Sequence, residues 1–205
     1  CMNNTIRVRI APSPTGNLHV GTARAALYNE LFARHYNGSF IIRIEDTDKA
    51  RSTPEYEQAI LDGLKWLGIH WSEGPDVGGE YAPYRQSERV GEHAKAVQEL
   101  LDTSKAYRCV CPPKEMSSGD IAVHSCACPT ANNATGVIRL KVTPELISFT
   151  DIIRGEIKVH TNSFGGDFVI ARDISDPLFH LAVVSDDEAM KITHVIRGED
   201  HLHNT

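Results

Sequence analysis

One stretch near the N-terminus, RVRIAPSPTGNLHVGT (residues 7–22), constrains the fold more than any other part of the sequence. Residues 6–11 alternate between polar and apolar side chains, which predicts a strand with one buried face. Two prolines and a glycine then end this strand, because proline lacks an amide donor and glycine permits a tight turn. From Thr22 to about residue 35 the sequence is rich in helix-forming residues, and Gly38 follows as a stop signal. The sequence therefore predicts a strand, a sharp loop and a helix.

A strand that leads through a loop into a helix is a typical phosphate-binding arrangement. Unpaired N–H groups and the positive end of the helix dipole point into the loop. His19 and Gly21 stand at the junction, where an imidazole can bond a phosphate and a residue without Cβ lets a base or sugar approach. An ordinary turn, in which the glycine only allows the chain to bend, explains the same pattern, so the spacing leaves both interpretations open.

A second predicted strand, residues 39–44, ends in the acidic sequence Glu45-Asp46-Thr47-Asp48. With the first strand and helix it forms a βαβ unit, which implies a parallel sheet whose ligands lie beyond the carboxyl ends of the strands. Glu45 is therefore expected near the loop that carries His19. A carboxylate there could bind an ammonium group, a ribose hydroxyl or a metal, and a solvated acidic turn is the alternative.

A late strand is predicted at residues 192–196, and Arg197 follows it at the same ligand-bearing edge. A planar guanidinium suits a carboxylate substrate, although Glu199 or Asp200 could equally pair with it.

Three amphipathic helices are predicted from apolar residues at helical spacing. The second has a capping hydroxyl before Pro54 and ends at Gly68, and the third covers about residues 87–101. Their predicted buried faces are Ala23, Ala26, Leu27, Leu31 and Phe32; Ile60, Leu61, Leu64 and Leu67; and Val90, Ala94, Val97 and Leu101. Short strands are predicted at residues 137–142, 147–151, 156–160 and 168–170.

Four cysteines lie in a stretch without clear periodicity. They form two close pairs, Cys109 with Cys111 and Cys126 with Cys128, separated by fourteen residues. This pattern predicts a structural zinc site of four thiolates, although C-x-C is less typical of zinc than C-x-x-C. His124 is an alternative ligand, and a set of thiols without metal is the alternative interpretation.

Composition limits the class of protein. The chain has 205 residues, 41% of them hydrophobic and 23% charged, which is ordinary for a globular protein with a core. Its net charge of −6 argues against a protein that binds nucleic acid over its whole surface, but it does not exclude a local basic patch. No apolar run reaches the roughly 20 residues of a membrane-spanning helix, and nothing at the N-terminus resembles a signal peptide. A cytoplasmic location without membrane contact is expected.

Several long blocks, in order, resemble glutamyl-tRNA synthetases, which are class I aminoacyl-tRNA synthetases. The blocks are APSPTGNLHVGTARAALYNELFAR, FIIRIEDTDKARS, GPDVGGEYAPYRQSER and ITHVIRGEDHLHNT. His19 to Thr22 stand where that class has its HIGH motif, with Thr22 in place of the final histidine. The resemblance covers the chain from end to end and is weakest between about residues 109 and 164.

The resemblance implies a fold and a division into domains. The expected fold class is α/β, with the N-terminal half of a Rossmann-like parallel sheet and an inserted α+β domain that binds the tRNA acceptor stem. Residues 1–106 would belong to the catalytic domain, residues 107–189 to the insert with its zinc knuckle, and residues 190–205 to the return strand. Family members continue through a KMSKS loop and an anticodon-binding region, so the chain is expected to be an N-terminal fragment with doubtful efficiency alone.

The implied reaction is ATP-dependent activation of L-glutamate, releasing diphosphate, followed by its transfer to the 3′-terminal adenosine of tRNA(Glu), releasing AMP. ATP with Mg²⁺ and a structural Zn²⁺ are the implied cofactors, and the chain is expected to act as a monomer. Two alternatives remain: a non-catalytic nucleotide- or tRNA-binding module, and the paralogue that glutamylates queuosine in tRNA. A glutaminyl-tRNA synthetase fits less well.

The resemblance also implies roles for individual residues. Arg9 would bind the γ-carboxylate of glutamate, with Ser13, Glu45 and Arg197 completing the pocket. Phe179 stands where family members usually carry a tyrosine that orients the amino acid, and His180 could compensate for the missing hydroxyl. His19 and Gly21 would be catalytic. The residues assigned to ATP are Ala11, Pro12, Thr15, Gly16, His19, Gly21, Thr22 and Glu199.

Overall fold

The computed structural model describes residues 5–48, 50–111 and 135–199. The chain divides into two compact units, one of Cys1–Val90 with Val183–Thr205 and the other of Gly91–Ala182. In chain order the strands are β1 (Arg7–Ile10), β2 (Ser39–Ile42), β3 (Ala106–Cys109), β4 (Val137–Leu140), β5 (Leu146–Asp151), β6 (Gly155–His160), β7 (Val169–Asp173) and β8 (Asp176–Pro177). The helices are α1 (Val20–His35), α2 (Pro54–Trp66), α3 (Val90–Asp102) and α4 (Phe179–Ala189), with short 3₁₀ helices at Gln86–Glu88 and Thr161–Phe164.

The first unit is built on the predicted βαβ motif. β1 and β2 pair in parallel, with Val8 opposite Phe40 and Ile10 opposite Ile42, and α1 connects them. The predicted α/β fold with a parallel sheet is therefore confirmed. The buried core of this unit consists of Val8, Ala26, Ala33, Phe40, Ile42, Ile44, Ile60, Leu61, Leu64 and Ile69.

Helix α1 begins two residues before the predicted start because His19 caps it. The imidazole Nδ1 of His19 accepts the Gly21 N–H at 3.2 Å and so satisfies one of the open donors of the first turn. The predicted buried face is partly wrong: Leu27 and Leu31 are 44% and 40% exposed. The buried residues of the helix are Ala26, Asn29, Glu30 and Ala33. Of these four, the small residues Ala26 and Ala33 belong to the apolar core of the unit.

Helix α2 starts as predicted. The Thr53 hydroxyl accepts the Tyr56 N–H at 3.3 Å, and Pro54 occupies the first turn, where its missing donor has no cost. The predicted stripe is confirmed for Ile60, Leu61 and Leu64, which are buried. Leu67 is wrongly included, since it lies past the last helical residue and is half exposed.

The predicted strand at residues 192–196 is wrong: these residues, all described by the structure, form no regular strand. The segment does lie beside β1. The Thr193 hydroxyl accepts the Arg7 N–H at 2.8 Å, and the N–H groups of both Thr193 and His194 donate to the Arg7 carbonyl. The Thr193 hydroxyl takes the place of a backbone acceptor, and the two amides share the Arg7 carbonyl. The regular hydrogen-bond ladder of a strand pair therefore does not form here.

The second unit contains an antiparallel sheet in the order β3-β4-β7-β8 and a hairpin of β5 and β6. The four strands predicted between residues 137 and 170 are present, with shifted ends. Strand β3 and helix α4 were not predicted. The unit's buried core is formed by Val97, Ala106, Ile138, Ile170 and Ala171. Unit boundaries fall at residues 90/91 and 182/183, whereas the domain boundaries predicted from the sequence lie at 106/107 and 189/190. The acceptor-binding role of the insert stays a prediction.

Within the ranges that the structure describes, no helix combines the length and apolarity that crossing a bilayer requires.

Candidate functional site

A cavity of about 320 Å³ lies where β1 leads through its loop into α1. Its size falls within the range of small-molecule sites. The lining residues are Ile10, Ala11, Pro12, Ser13, Thr15, Gly16, Asn17, Leu18, His19, Thr22 and Ile60. The wall therefore combines apolar surface with hydroxyl groups and the start of a helix, which is a suitable setting for an anionic ligand.

The hydrogen bonds of His19 decide which donors this wall can offer. Since Nδ1 of His19 accepts the Gly21 N–H, the proton of the neutral ring lies on Nε2, which is 3.1 Å from the Thr22 hydroxyl oxygen. Thr22 then accepts from the ring and keeps its own hydroxyl proton for another acceptor. A phosphate in the cavity can therefore receive a hydrogen bond from Thr22, in the position where the HIGH motif has its second histidine.

A cluster of buried charges lies in the same unit, built from β1, the end of β2 and α4. Arg9 donates from Nε and Nη2 to the two carboxylate oxygens of Asp187, at 3.1 and 2.9 Å. Arg43 is fully buried and donates from Nη1 to the same carboxylate at 2.5 Å. Its Nη2 lies 3.4 Å from Glu45, so one guanidinium connects two acidic residues.

Asp186 extends this cluster on the other side of Arg43. Its carboxylate accepts from Arg89 Nε at 2.6 Å and from Gln86 Nε2 at 2.9 Å, and lies 3.8 Å from Arg43 Nε. All four of these side chains are buried. Charges with little access to water are stable only when opposite charges and hydrogen bonds surround them.

Glu45 has an unusual electrostatic environment. Burial raises its pKa to about 7, although the positive charges of Arg43 and Arg9 act in the opposite direction. Asp187 adds a smaller upward contribution. Glu45 can therefore change its charge close to neutral pH, and a cationic group placed beside it would favour the ionised form.

Arg197 follows the irregular segment that lies beside β1. Burial lowers its pKa, and the positive charge of Arg9 lowers it further, whereas Asp187 acts to raise it. Two guanidinium groups near enough to repel each other in a partly buried place favour an anion between them. Asp187 already supplies one such anion, since it bonds Arg9 and raises the pKa of Arg197, and the carboxylate of Glu45 is near enough to Arg9 to interact with it.

The structure brings most of the predicted ATP residues together. Ala11, Pro12, Thr15, Gly16, His19 and Thr22 line the cavity, as does Ser13, which was assigned to glutamate. Gly21 is next to the cavity wall, but its N–H is bonded to His19 and is not directed to a ligand. Glu199 is exposed and does not belong to the lining.

Among the predicted glutamate residues, Arg9, Glu45 and Arg197 interact electrostatically within the first unit. Phe179 begins α4, is half exposed, and packs its ring against His180 with centroids 5.5 Å apart. Arg43, Asp186 and Asp187 were not assigned to the site from the sequence. The available signal was Arg43 inside the apolar run SFIIRI, because a buried arginine requires acidic partners.

The zinc prediction is only half within the described residues. Cys109 ends β3 and is buried, and Cys111 follows two residues later, whereas Cys126, Cys128 and His124 lie outside the described ranges. Among residues 5–48, 50–111 and 135–199, no group of three or more His, Cys, Asp or Glu side chains could hold a metal ion. The zinc site stays a prediction.

A parallel βαβ unit with a ligand-sized cavity at the start of its helix defines an α/β protein of the nucleotide-binding class. The family model of the catalytic domain of class I tRNA synthetases (E and Q) matches residues 5–136 and 124–205. The chain therefore belongs to the class I tRNA synthetase family, as the sequence resemblance predicted.

Individual relatives agree with this assignment. The chain is 47% identical over 220 residues to a glutamate–tRNA ligase of Symbiobacterium thermophilum, covering 98% of this chain and 45% of the relative. A glutamate–tRNA ligase of Bacillus licheniformis is 47% identical over 223 residues, covering 100% and 46%. The crystal structure of a glutamate-tRNA synthetase from Elizabethkingia anophelis superposes with a TM-score of 0.86 at 39% identity, covering 98% of this chain and 46% of that one. The chain thus spans about half the length of the curated relatives it matches.

Proposed function

We propose that this chain supplies the glutamate- and ATP-binding part of a glutamate–tRNA ligase. In the first step the α-carboxylate of glutamate attacks the α-phosphate of ATP, which gives glutamyl adenylate and releases diphosphate. In the second step the 3′-terminal adenosine of tRNA(Glu) accepts the glutamyl group, and AMP leaves. The relatives of about 47% identity carry the name of this activity.

The observation that carries the proposal is the charge pattern of Arg9, Arg197 and Glu45 in the first unit. Glutamate has an ammonium group and two carboxylates, so its pocket needs one negative and two positive poles. Arg9 and Arg197 repel each other in a partly buried place, and Glu45 is a buried carboxylate near Arg9. A bound glutamate would relieve the repulsion with a carboxylate and would favour the ionised form of Glu45 with its ammonium group.

The remaining roles are assigned to the cavity. The triphosphate would receive hydrogen bonds from Thr22 and from open N–H groups at the start of α1, with His19 fixing the geometry of that turn. Catalysis of this step requires positioning and charge neutralisation and needs no covalent protein group. Mg²⁺ would reach the site on the phosphates of ATP and would neutralise part of their charge.

Substitution of Arg9 tests the proposal. Arg9→Ala should weaken glutamate binding by about 2–5 kcal/mol, because it removes one partner of a buried charge contact. The measurement is calorimetric titration of glutamate, together with glutamate-dependent exchange of diphosphate into ATP and aminoacylation of unfractionated tRNA. Glutamine serves as the control ligand.

Arg34→Ala is the matched control variant, since Arg34 is also an arginine of the first unit but its side chain is largely exposed. It should leave glutamate binding unchanged. Normal glutamate saturation in Arg9→Ala would contradict the assignment of Arg9. Binding of ATP by the wild-type chain without any binding of glutamate would favour the non-catalytic module instead. The acceptor-stem contact, the cytoplasmic location and the monomeric state stay predictions.

A further inference from the structure

Asp187 contacts two arginines of the charge cluster at once. Its oxygens accept from Nε and Nη2 of Arg9 at 3.1 and 2.9 Å, which is a two-point contact along one edge of the guanidinium. One of these oxygens also accepts from Nη1 of Arg43 at 2.5 Å. Such a two-point contact fixes both the position and the plane of the Arg9 head group.

The contact leaves a defined part of Arg9 for a ligand. A guanidinium carries five N–H donors, and Asp187 uses the edge formed by Nε and Nη2. Within the described part of the chain, no side chain bonds the Nη1 amine of Arg9. Because Arg9 is only 6% exposed, its head group has little freedom to seek another orientation. A ligand carboxylate that bonds Nη1 of Arg9 would therefore meet a donor whose direction Asp187 has already set.

Asp187 is itself fixed by a second arginine, Arg43, whose other contacts are also with buried charged residues. Arg43 is fully buried and interacts with Asp187, Glu45 and Asp186. Asp186 is in turn fixed by Arg89 and Gln86. The charges alternate in sign from Arg9 through Asp187, Arg43 and Asp186 to Arg89, so each member has an opposite neighbour. Groups with such support can hold a binding side chain within a fraction of an ångström of its productive position.

We propose that Asp187 is a positioning residue for glutamate binding, which acts by fixing the guanidinium of Arg9 along one edge. The inference deepens the proposed function and rests on it, because it assumes that Arg9 binds a carboxylate of glutamate. Asp187 does not touch the substrate in this scheme. A role limited to charge compensation is the competing explanation, and the experiment separates the two.

Two substitutions distinguish position from charge. Asp187→Asn removes the charge and one of the two acceptors of Arg9, whereas Asp187→Glu keeps the charge but moves the carboxylate by one methylene. Positioning predicts that both weaken glutamate binding by roughly tenfold or more, with ATP affinity within about twofold of the wild type. Charge compensation alone predicts wild-type glutamate affinity in Asp187→Glu. Glu188→Gln, an exposed neighbour on α4, is the control and should change neither affinity.

A double-mutant cycle with Arg9→Gln tests whether Asp187 acts through Arg9. In that background Asp187→Asn should change glutamate affinity by less than about twofold, because the residue that it positions is gone. A ligand-independent measurement is the NMR signal of the Arg9 Nε–H group. This signal should be sharp in the wild type and should broaden or shift in both Asp187 variants. It can be measured even if glutamate affinity is low.

The outcomes separate the two proposals. A wild-type chain that binds no glutamate at saturating concentration overturns the proposed function. A wild-type chain that binds glutamate, with an Asp187→Glu variant of equal affinity and an unchanged Arg9 Nε–H signal, overturns the positioning role alone. Equal losses on Asp187→Asn in the wild-type and Arg9→Gln backgrounds also overturn it, since the effect would then not pass through Arg9.

Discussion

At the level of single residues, Glu45 belongs to the charge cluster, and its backbone N–H donates to the carbonyl of Pro12, which lines the cavity, at 3.0 Å. Burial raises the pKa of Glu45 to about 7 in spite of two nearby arginines. Compared with an ordinary glutamate, the folded protein keeps this carboxyl protonated to a higher pH. The contribution of Glu45 to folding stability is therefore most favourable below the pKa of the unfolded chain and is lost as the pH rises towards 7. A residue that costs stability when ionised at neutral pH needs a compensating role.

Glutamate binding should depend on pH through this residue. An ammonium group beside Glu45 favours the ionised form, so glutamate affinity should rise as the pH increases from 5.5 to 7 and level off above about 7.5. Protons should be released on binding below pH 7, because the ligand lowers the pKa of Glu45. Calorimetric titration in two buffers of different ionisation enthalpy measures this release.

Glu45→Gln is the control for this pH dependence. It should bind glutamate more weakly and without the rise between pH 5.5 and 7, since the titrating group is absent. A wild-type affinity that stays constant over this range would exclude Glu45 as the ammonium-binding carboxylate.

At the level of elements, the loop between α1 and β2 depends on one glycine. A Cβ placed on Gly38 would lie 2.8 Å from Cβ of Ile6 and closer still to the backbone of that residue. Backbone atoms cannot move aside as the end of a flexible side chain can. The loop between α1 and β2 and the residue before β1 are therefore in direct contact at a position where only glycine fits.

Gly38→Ala should lower the free energy of unfolding by about 1–3 kcal/mol, because overpacking forces the backbone at Ile6 to shift. The free energy is measured by urea denaturation. Gly91→Ala is the matched control: Gly91 lies in the first turn of α3 with open space around it, so the change should be neutral or stabilising by up to about 1 kcal/mol. Equal stability of Gly38→Ala and the wild type would show that the contact with Ile6 can relax without cost.

The elements that the sequence predicted are those with a strong local signal. Helix α2 has a capping threonine, a proline at its start and an apolar stripe, and its predicted start is correct. Helix α4 was missed because its apolar residues are not confined to one face and it contains the β-branched pair Val183 and Val184. The segment at 192–196 has strand composition, but the Thr193 hydroxyl replaces a ladder bond with β1. That contact links residues 186 positions apart and has no local signal.

The candidate site shows the same limit. The loop and helix start, from Ala11 to Thr22, are contiguous in sequence and could be predicted from their glycine, prolines and histidine. The charge cluster joins Arg9 and Arg43 to Asp187 across more than 140 positions. Only the buried arginine in an apolar strand hinted at it, and the identity of its partners required the fold.

At the level of the whole molecule, the two compact units divide the predicted binding functions. The cavity and the charge cluster lie in the first unit, whereas Cys109 and Cys111 lie in the second. Cys109 is buried where β3 ends, and its partner strand β4 begins at the opposite residue, Val137. The stretch between these two strands contains the other pair of predicted zinc ligands. If zinc stabilises this stretch, its removal should affect the second unit and leave glutamate binding intact.

Zinc removal tests this division. The purified chain is expected to contain about one zinc ion. Cys109→Ser should contain almost none, because a structural zinc site needs all four ligands and this variant lacks one thiolate. Elemental analysis measures the metal, and Cys1→Ser is the control that should keep it. Metal-free protein and Cys109→Ser should bind glutamate within about twofold of the untreated chain and should bind an RNA hairpin that mimics the acceptor stem at least roughly tenfold more weakly. Wild-type protein that is purified without zinc would contradict the zinc prediction. Unchanged RNA affinity after zinc removal would contradict a role of the metal in RNA binding. A loss of glutamate binding on chelation would contradict the division between the units.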